Sequence, residues 1–403
     1  MEPELTKKER CMLNGECGPG KQQAMEILVA LAKIYGAKNM VPVTSAQISG
    51  VSYKTIGDAG LEYLEDLASR NTKVEVPAYL NPIGMDSQGW EEMKVPKAFA
   101  EKQLKILNAY TSMGIRPTCT CTPYLIGVRP KVGEHIAWAE SSAVVFSNSV
   151  LGARTNREGG PSALYAAICG VTPNYGMHLD ENRIADLVVD VKVALPDRSD
   201  FGVLGAIAGG IARGRVVAFK GIKKADEDKL KYLGAAMAAF GSNSLFFIKG
   251  ITPEWKVRSG AEEITVDDAE MGRMRKTLDE CPEEDIITTG CPHASLAEIK
   301  EIAGMVRGKE LKKPLWVCVS RAVKEIAAKQ GLVKIIEKAG GKLVADTCMV
   351  VSPMEEMGYK STGVNSAKAV KYLPTMCQQK VHFAKLRDLL EFKGAAEKGG
   401  KRK

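Results

Sequence analysis

The sequence predicts an α/β protein whose parallel sheets are flanked by helices. Three observations carry this. Residues 285–345 alternate strand-like and helix-like stretches in the order β-α-β-α-β, and such crossovers imply a parallel sheet covered on both faces. Amphipathic helix patterns recur along the rest of the chain. The 403 residues are 45% hydrophobic and 26% charged, which is ordinary globular usage and excludes a mainly disordered or collagen-like chain. That length suits one large α/β enzyme, or two to three subdomains sharing an interface.

The elements follow in order. Residues 24–35 read as a helix stopped by Gly36, because glycine ends helices readily. Residues 74–76 alternate and lead into a turn-rich loop at 79–84. Residues 97–113 form an amphipathic helix ending before Gly114, and 115–120 a strand. Residues 143–146 are an apolar strand inside a polar segment, and 187–195 alternate around Asp190 and Lys192. The stretch 204–212 holds Gly205, Gly209 and Gly210, which predicts close backbone packing. Residues 225–239 are helical and 244–249 a short strand. In the last third, 285–289 is a strand, and Ser295 with Glu298 makes a capping box that opens a helix. A strand at 315–319, helices at 321–329 and 333–339, and a strand at 343–345 follow, with Gly340 and Gly341 closing the second helix. No internal repeat, low-complexity stretch or long linker interrupts residues 1–391. Residues 392–403 carry five basic groups, one acid and three glycines, the composition of a disordered basic tail.

The formal charge of +8 raises the question of a polyanionic partner. The tail accounts for +4 of it, leaving +4 on the other 391 residues, so neither nucleic acid nor a membrane surface is expected. The N-terminus has no apolar signal-peptide core. The longest apolar stretches fall short of the roughly 18–20 residues of a membrane span. A cytoplasmic protein with reduced thiols is therefore expected.

Residues 15–22 resemble a P-loop at first sight. Gln22 stands where the pattern needs Ser or Thr, and residues 7–14 are not an apolar strand. A helix N-terminus with Pro19 in its first turn is the better reading.

Ten cysteines need an explanation. Cys119 and Cys121 follow one predicted strand, Cys291 another and Cys348 a third. In open α/β sheets that edge is where sites are built. Paired zinc-knuckle spacings are absent. Two readings stay open from spacing alone: a cluster held by one thiolate from each subdomain, or buried cysteines acting as small hydrophobes. Cys169 and Cys318 lie in apolar runs and read as core, Cys11, Cys17 and Cys281 lie in polar segments, and Cys377 sits near the C-terminal helix. His293 follows Cys291 by two and suits a ligand-orienting or acid–base role, or a purely structural one.

Residues 140–160 form a dense polar stretch with Asn148, Ser149, Arg154, Asn156, Arg157 and Glu158. Two guanidinium forks three residues apart suit a carboxylate or phosphate; a solvated loop is the other reading. Ser45 and Ser49 lie in a second polar run, and Lys368 in a third at 365–368. A G-x-S-x-G nucleophile elbow is absent.

Seven segments together resemble the aconitase X family: residues 44–53, 80–86, 121–124, 146–160, 290–293, 346–348 and 365–368. The resemblance runs from about residue 5 to 390. It implies an aconitase-like multi-subdomain α/β architecture, the last subdomain at about 285–391, with a cluster site at C-terminal strand ends between subdomains. It implies a hydro-lyase of the archaeal two-subunit form, dehydrating (R)-5-phosphomevalonate to trans-anhydromevalonate 5-phosphate in the mevalonate pathway. Its cofactor would be a [4Fe–4S] cluster with one open iron, held by Cys121, Cys291 and Cys348, with Cys119 the competitor for the first position. Ser45, Ser49, Asn148, Ser149, Arg154, Asn156, Arg157 and Lys368 become substrate contacts, and His293 and Glu158 catalytic candidates. The main base would come from a small swivelling-domain subunit. A hydroxyproline-type substrate is the alternative, distinguished by its lack of phosphate. A basic, metal-binding nucleic-acid protein is a remote one, disfavoured by 6% aromatic content and by the absence of basic–aromatic interleaving.

Overall fold

The computed structural model describes residues 2–393. Its first part contains strands β1 (Met40–Pro42), β2 (Ala46–Ile48), β3 (Ala78–Leu80), β4 (Ala137–Trp138) and β5 (Val171–Pro173). β3, β2 and β4 form a parallel three-stranded sheet in that order, and β1 pairs antiparallel with β5. The second part holds β6 (Ala185–Val191), β7 (Val217–Lys220), β8 (Phe246–Ile248) and β9 (Val257–Val266), parallel in the order β8-β7-β6-β9. The third holds β10 (Ile286–Thr289), β11 (Leu315–Val319), β12 (Gly341–Ala345), β13 (Ser361–Val364) and β14 (Lys380–Phe383), parallel in the order β12-β11-β10-β13-β14.

β10 and β11 are buried along their whole length, as strands covered on both faces must be. The edge strand β9 is mostly exposed. Its Glu262 and Glu263 pair with Arg215 and Lys220, and charge of this kind blunts an open edge. No helix among the described residues is long and apolar enough to cross a membrane.

The glycines of 204–212 do bring backbones together. A Cβ at Gly205 would lie 2.5 Å from the Leu233 carbonyl oxygen, and one at Gly209 would lie 2.9 Å from that of Met237. The helices Arg198–Ala212 and Glu227–Gly241 pack at this contact. The second of them also touches the helices Ser141–Phe146 and Ala367–Cys377, so it joins all three parts. The capping box at Ser295 and Glu298 is present.

Several expected elements differ. Residues 143–146 belong to the helix Ser141–Phe146, which runs on into a π-helical turn, Ser147–Leu151. Residues 142–146 are all buried, so their unbroken apolar run had no period to tell helix from strand. Residues 115–120 are extended but make only a bridge at Tyr79 and Arg116. Pro117 has no N–H to give, and Cys119 sits at φ 41°, which turns the chain out of a ladder. Residues 74–76 are irregular: Val74 and Glu75 donate to Met113 and Ala167 at helix ends, and the strand starts after Pro77. The first long helix begins at Pro19 rather than 24, with Gly18 as its N-cap. Of the expected tail, Phe392 bridges Leu311 and Lys393 donates to the Glu310 carbonyl; 394–403 lie outside the described residues.

Candidate active site

The C-terminal ends of two parallel sheets face one cleft of about 260 Å³. Ser49 follows β2, Asn81 follows β3 and Glu140 follows β4; Cys291 follows β10, Cys348 follows β12 and Lys368 follows β13, and all six line it. This edge is where loops are free to carry chemistry while the strands fix their roots.

The chain brings three cysteines to this cleft along different routes. Cys121 follows the extended segment 115–120, which hydrogen-bonds to β3 through Arg116 and Thr120. Cys291 follows Gly290, whose φ is 86°. A Cβ there would lie 2.1 Å from the Cys318 carbonyl oxygen, so only glycine lets this loop approach β11 so closely. Cys348 donates its N–H to the Ile83 carbonyl while Ile83 donates to Asp346, which zips the first and third parts together beside the thiol. Arg321 braces the same joint by pairing with both Asp86 and Asp346.

All ten cysteines are free. Burial pushes the Cys121 thiol up to about 12, with the charge of Glu140 adding and Lys368 opposing. Burial raises Cys291 and Cys348 in the same way. Cys119, the competitor at the first position, is buried beside Asp346 and Arg321 and does not line the cleft. Cys169 and Cys318 are core residues.

A buried ion pair, Lys368 with Glu140, lines the same cleft. Asn81 Nδ2 donates to Glu140 at 2.8 Å and Ser142 Oγ at 3.0 Å. Burial alone would raise this carboxyl, but the charge of Lys368 and these bonds outweigh it and hold Glu140 at about 2. Asn81 Oδ1 is buried without a partner, and Asn81 lines the cleft. Lys368, Tyr372 and Met376 present one face of the helix Ala367–Cys377 to the cleft, as i, i+4 spacing requires. Among the described residues lining the cleft, Lys368 is the only Lys or Arg.

His293 also lines the cleft, yet it is 1% exposed and both ring nitrogens are engaged. Burial lowers its pKa to about 4, so the ring is neutral near pH 7.

The remaining expected contacts are elsewhere. Ser45 Oγ accepts from Trp138 Nε1 at 3.2 Å. Asn148 donates to the carbonyls of Thr155 and Ser244 and accepts from Thr155 N–H. Ser149 Oγ accepts from Phe246 N–H at 2.9 Å. Asn156 bonds the backbone at Tyr175 and Met177. Arg154 pairs with Asp180 at 2.8 Å. Arg157 and Glu158 line a different cleft, with Tyr35 and Tyr175, and Glu158 accepts from Ser162 and Thr172. None of these seven residues lines the cysteine cleft. Glu140 opens the polar stretch 140–160 and Asn81 lies in the family motif 80–86, but neither takes a site role from sequence. The two residues of β4 are too short a strand to flag Glu140 as lying at a sheet edge.

Comparison with known proteins places the chain in a family. Models for the aconitase X first, second and third domains match residues 2–181, 185–276 and 284–395. The chain is 53% identical to a phosphomevalonate dehydratase large subunit of Methanothermobacter thermautotrophicus, over 93% of this chain and 94% of that one. It is 49% identical to one of Methanocaldococcus jannaschii, over 96% and 99%. It is 35% identical to a cis-3-hydroxy-L-proline dehydratase of Hypocrea jecorina, over 95% of this chain and 67% of that protein. The crystal structure of Thermococcus kodakaraensis aconitase X in its holo-form superposes with a TM-score of 0.90 at 47% identity, covering 96% of this chain and 98% of that one. Domain models spanning almost the whole sequence, and a solved relative of the same fold, lead to one conclusion: the chain belongs to the aconitase X family.

Proposed function

We propose that this chain is the large, catalytic subunit of an iron–sulfur hydro-lyase that removes water from (R)-5-phosphomevalonate, giving trans-anhydromevalonate 5-phosphate, in the cytoplasm. The observation that carries it is that three free cysteines and a buried Lys368–Glu140 pair line one cleft. The names and identities of the archaeal relatives support the substrate.

The donor set fits a [4Fe–4S] cluster. Three free cysteines line one cleft, and iron–sulfur clusters are held by cysteine thiolates. Cys121, Cys291 and Cys348 would hold it, leaving one iron open. Bound there, the cluster supplies a Lewis acid for the departing hydroxyl.

The chain's own residues do the rest. Lys368 exchanges part of its contact with Glu140 for the substrate carboxylate, and Glu140 keeps the ammonium aimed while it waits. Asn81 Oδ1 accepts from a substrate hydroxyl, which removes an unpaired buried acceptor. Ser49 adds a hydrogen bond at the rim. Val350 and Val351 line the wall beside Cys348 and keep water from it.

A base for the proton next to the carboxylate is harder to find here. A carboxylate held at about 2, as Glu140 is, is a weak base. Both nitrogens of His293 are engaged. On this reading the base comes from a small swivelling-domain subunit that closes the cleft, as the family resemblance implies and in keeping with the "large subunit" of the relatives' names.

One observation favours the second reading, a hydroxyproline-type substrate: the cleft offers one cation, and phosphomevalonate carries two anionic groups. On the first reading the small subunit meets the phosphate. Anaerobic turnover of both substrates, with and without the small subunit, tests this. Phosphomevalonate is turned over only by the complex; full activity of the chain alone overturns the partner's role, and preference for cis-3-hydroxyproline overturns the substrate.

A further inference from the structure

We infer that His293 is a positioning residue, which ties the three cysteine-bearing loops together at the spacing a cluster needs. The inference rests on the cluster reading above and goes beyond it, because among the ligand-orienting, acid–base and structural roles the sequence left open it selects the first and names the contacts that perform it.

All four polar atoms of His293 are engaged, with three different segments. Its N–H donates to Cys121 Sγ at 3.2 Å. Its Nδ1 lies 3.0 Å from Thr120 Oγ1, beside Cys121. Its Nε2 lies 2.9 Å from the carbonyl oxygen of Thr347, beside Cys348. Its own carbonyl accepts from Lys231 Nζ at 3.1 Å. His293 itself is two residues past Cys291. One side chain and its peptide groups thus connect all three thiol loops to each other.

The tautomer follows from the partners. A carbonyl oxygen only accepts, so Nε2 carries the proton, and Nδ1 of the neutral ring accepts from the Thr120 hydroxyl. Neither nitrogen is free to exchange a proton with a substrate without breaking a buried hydrogen bond.

The fourth contact gives the knot a fixed root. Lys231 is 2% exposed, on the helix that joins the three parts. It pairs with Glu298 and, at 3.1 Å, with Asp228. Ser295 Oγ donates to Asp228 at 2.7 Å, and Ser295 and Glu298 cap the helix that follows the Cys291 loop. The cage therefore locks the loop from behind while His293 sets its distance from the other two.

The test uses the complex with the small subunit, prepared anaerobically, with His293→Ala, His293→Gln and His293→Asn. A glutamine amide reaches the Nε2 position and an asparagine amide the Nδ1 position. Iron and sulfide per chain, the rate of cluster bleaching by a chelator, the electron paramagnetic signature of the reduced cluster and the pH profile of kcat/KM are read. Expected for His293→Ala are bleaching at least about 10-fold faster and a changed signature, with partial rescue by Gln and both limbs of the pH profile kept. Wild-type cluster retention and signature in His293→Ala, with one pH limb lost, overturns the inference in favour of an acid–base role. If His293→Ala does not fold, wild-type bleaching rates in both Gln and Asn variants overturn it. Wild-type complex that takes up neither iron nor sulfide overturns the cluster reading itself, and the role of His293 with it.

Discussion

The loops around Cys291 and Cys348 and the segment 148–158 carry the same kinds of residue: small polar side chains, glycines and a cation nearby. Around the cysteine loops, Cys121, Cys291, Cys348, Asn81 and the Lys368–Glu140 pair line a cleft. In 148–158, Asn148, Ser149 and Asn156 are hydrogen-bonded to backbone inside the protein. The difference is one of direction. A polar side chain that closes backbone groups near a π-helical turn stabilises the fold, and one left facing an open volume is available to a ligand. Polarity of sequence does not separate the two.

The sharpest way to test this contrast is on the thiols. Cys121→Ser, Cys291→Ser or Cys348→Ser should each lower iron content and cut turnover by more than ~100-fold, since even groups that merely orient ligands are worth ~10–100-fold. A full cluster in any of the three removes that residue from the ligand set. Iron and sulfide analysis with anaerobic assays reads this directly.

Next comes the ion pair. Lys368→Met leaves Glu140 buried without its partner, and thermal unfolding should register a loss of ~3–5 kcal/mol. The pair also sets an acid limit. Glu140 is held at about 2 against its usual 4.5, so its contribution to stability is full above pH 4.5 and disappears as pH falls from there toward 2. The double variant Glu140→Gln with Lys368→Met should flatten that stretch of the acid-unfolding curve; an unchanged curve would show that other carboxylates dominate it.

On the other side of the comparison, Asn148→Ala should lower stability by ~1–3 kcal/mol by orphaning buried backbone groups. Iron content and KM of the folded fraction should stay at the wild-type level. The smallest effect is expected at Arg154→Ala. Its partner Asp180 is 68% exposed, and exposed pairs contribute at most ~1 kcal/mol, so KM should stay within about fivefold. A larger rise in KM would mean that Arg154 leaves Asp180 to meet substrate, and the contrast between the two regions would fall.

Much of this was legible in the chain. The β-α-β alternation of the last third, the capping box at Ser295, the stop at Gly36 and the tight helix contact at Gly205 and Gly209 are local signals, and each is present in the fold. Family motifs singled out Cys121, Cys291, Cys348, Ser49 and Lys368, which one cleft brings together. The strand expected at 143–146 was not legible correctly, because total burial erases the period that distinguishes helix from strand.

The sequence by itself determined most of the elements of the last third and which loops carry thiols, since capping, glycine placement and apolar period act over a few residues. Only the tertiary structure decided which polar groups face the cleft. Glu140 and Asn81 reach it, while Arg154, Arg157 and Glu158 do not. It also decided that both ring nitrogens of His293 are hydrogen-bonded within the protein. The physical reason is that a side chain's role depends on its unmet hydrogen bonds, and those are settled by segments far apart in the chain packing against one another.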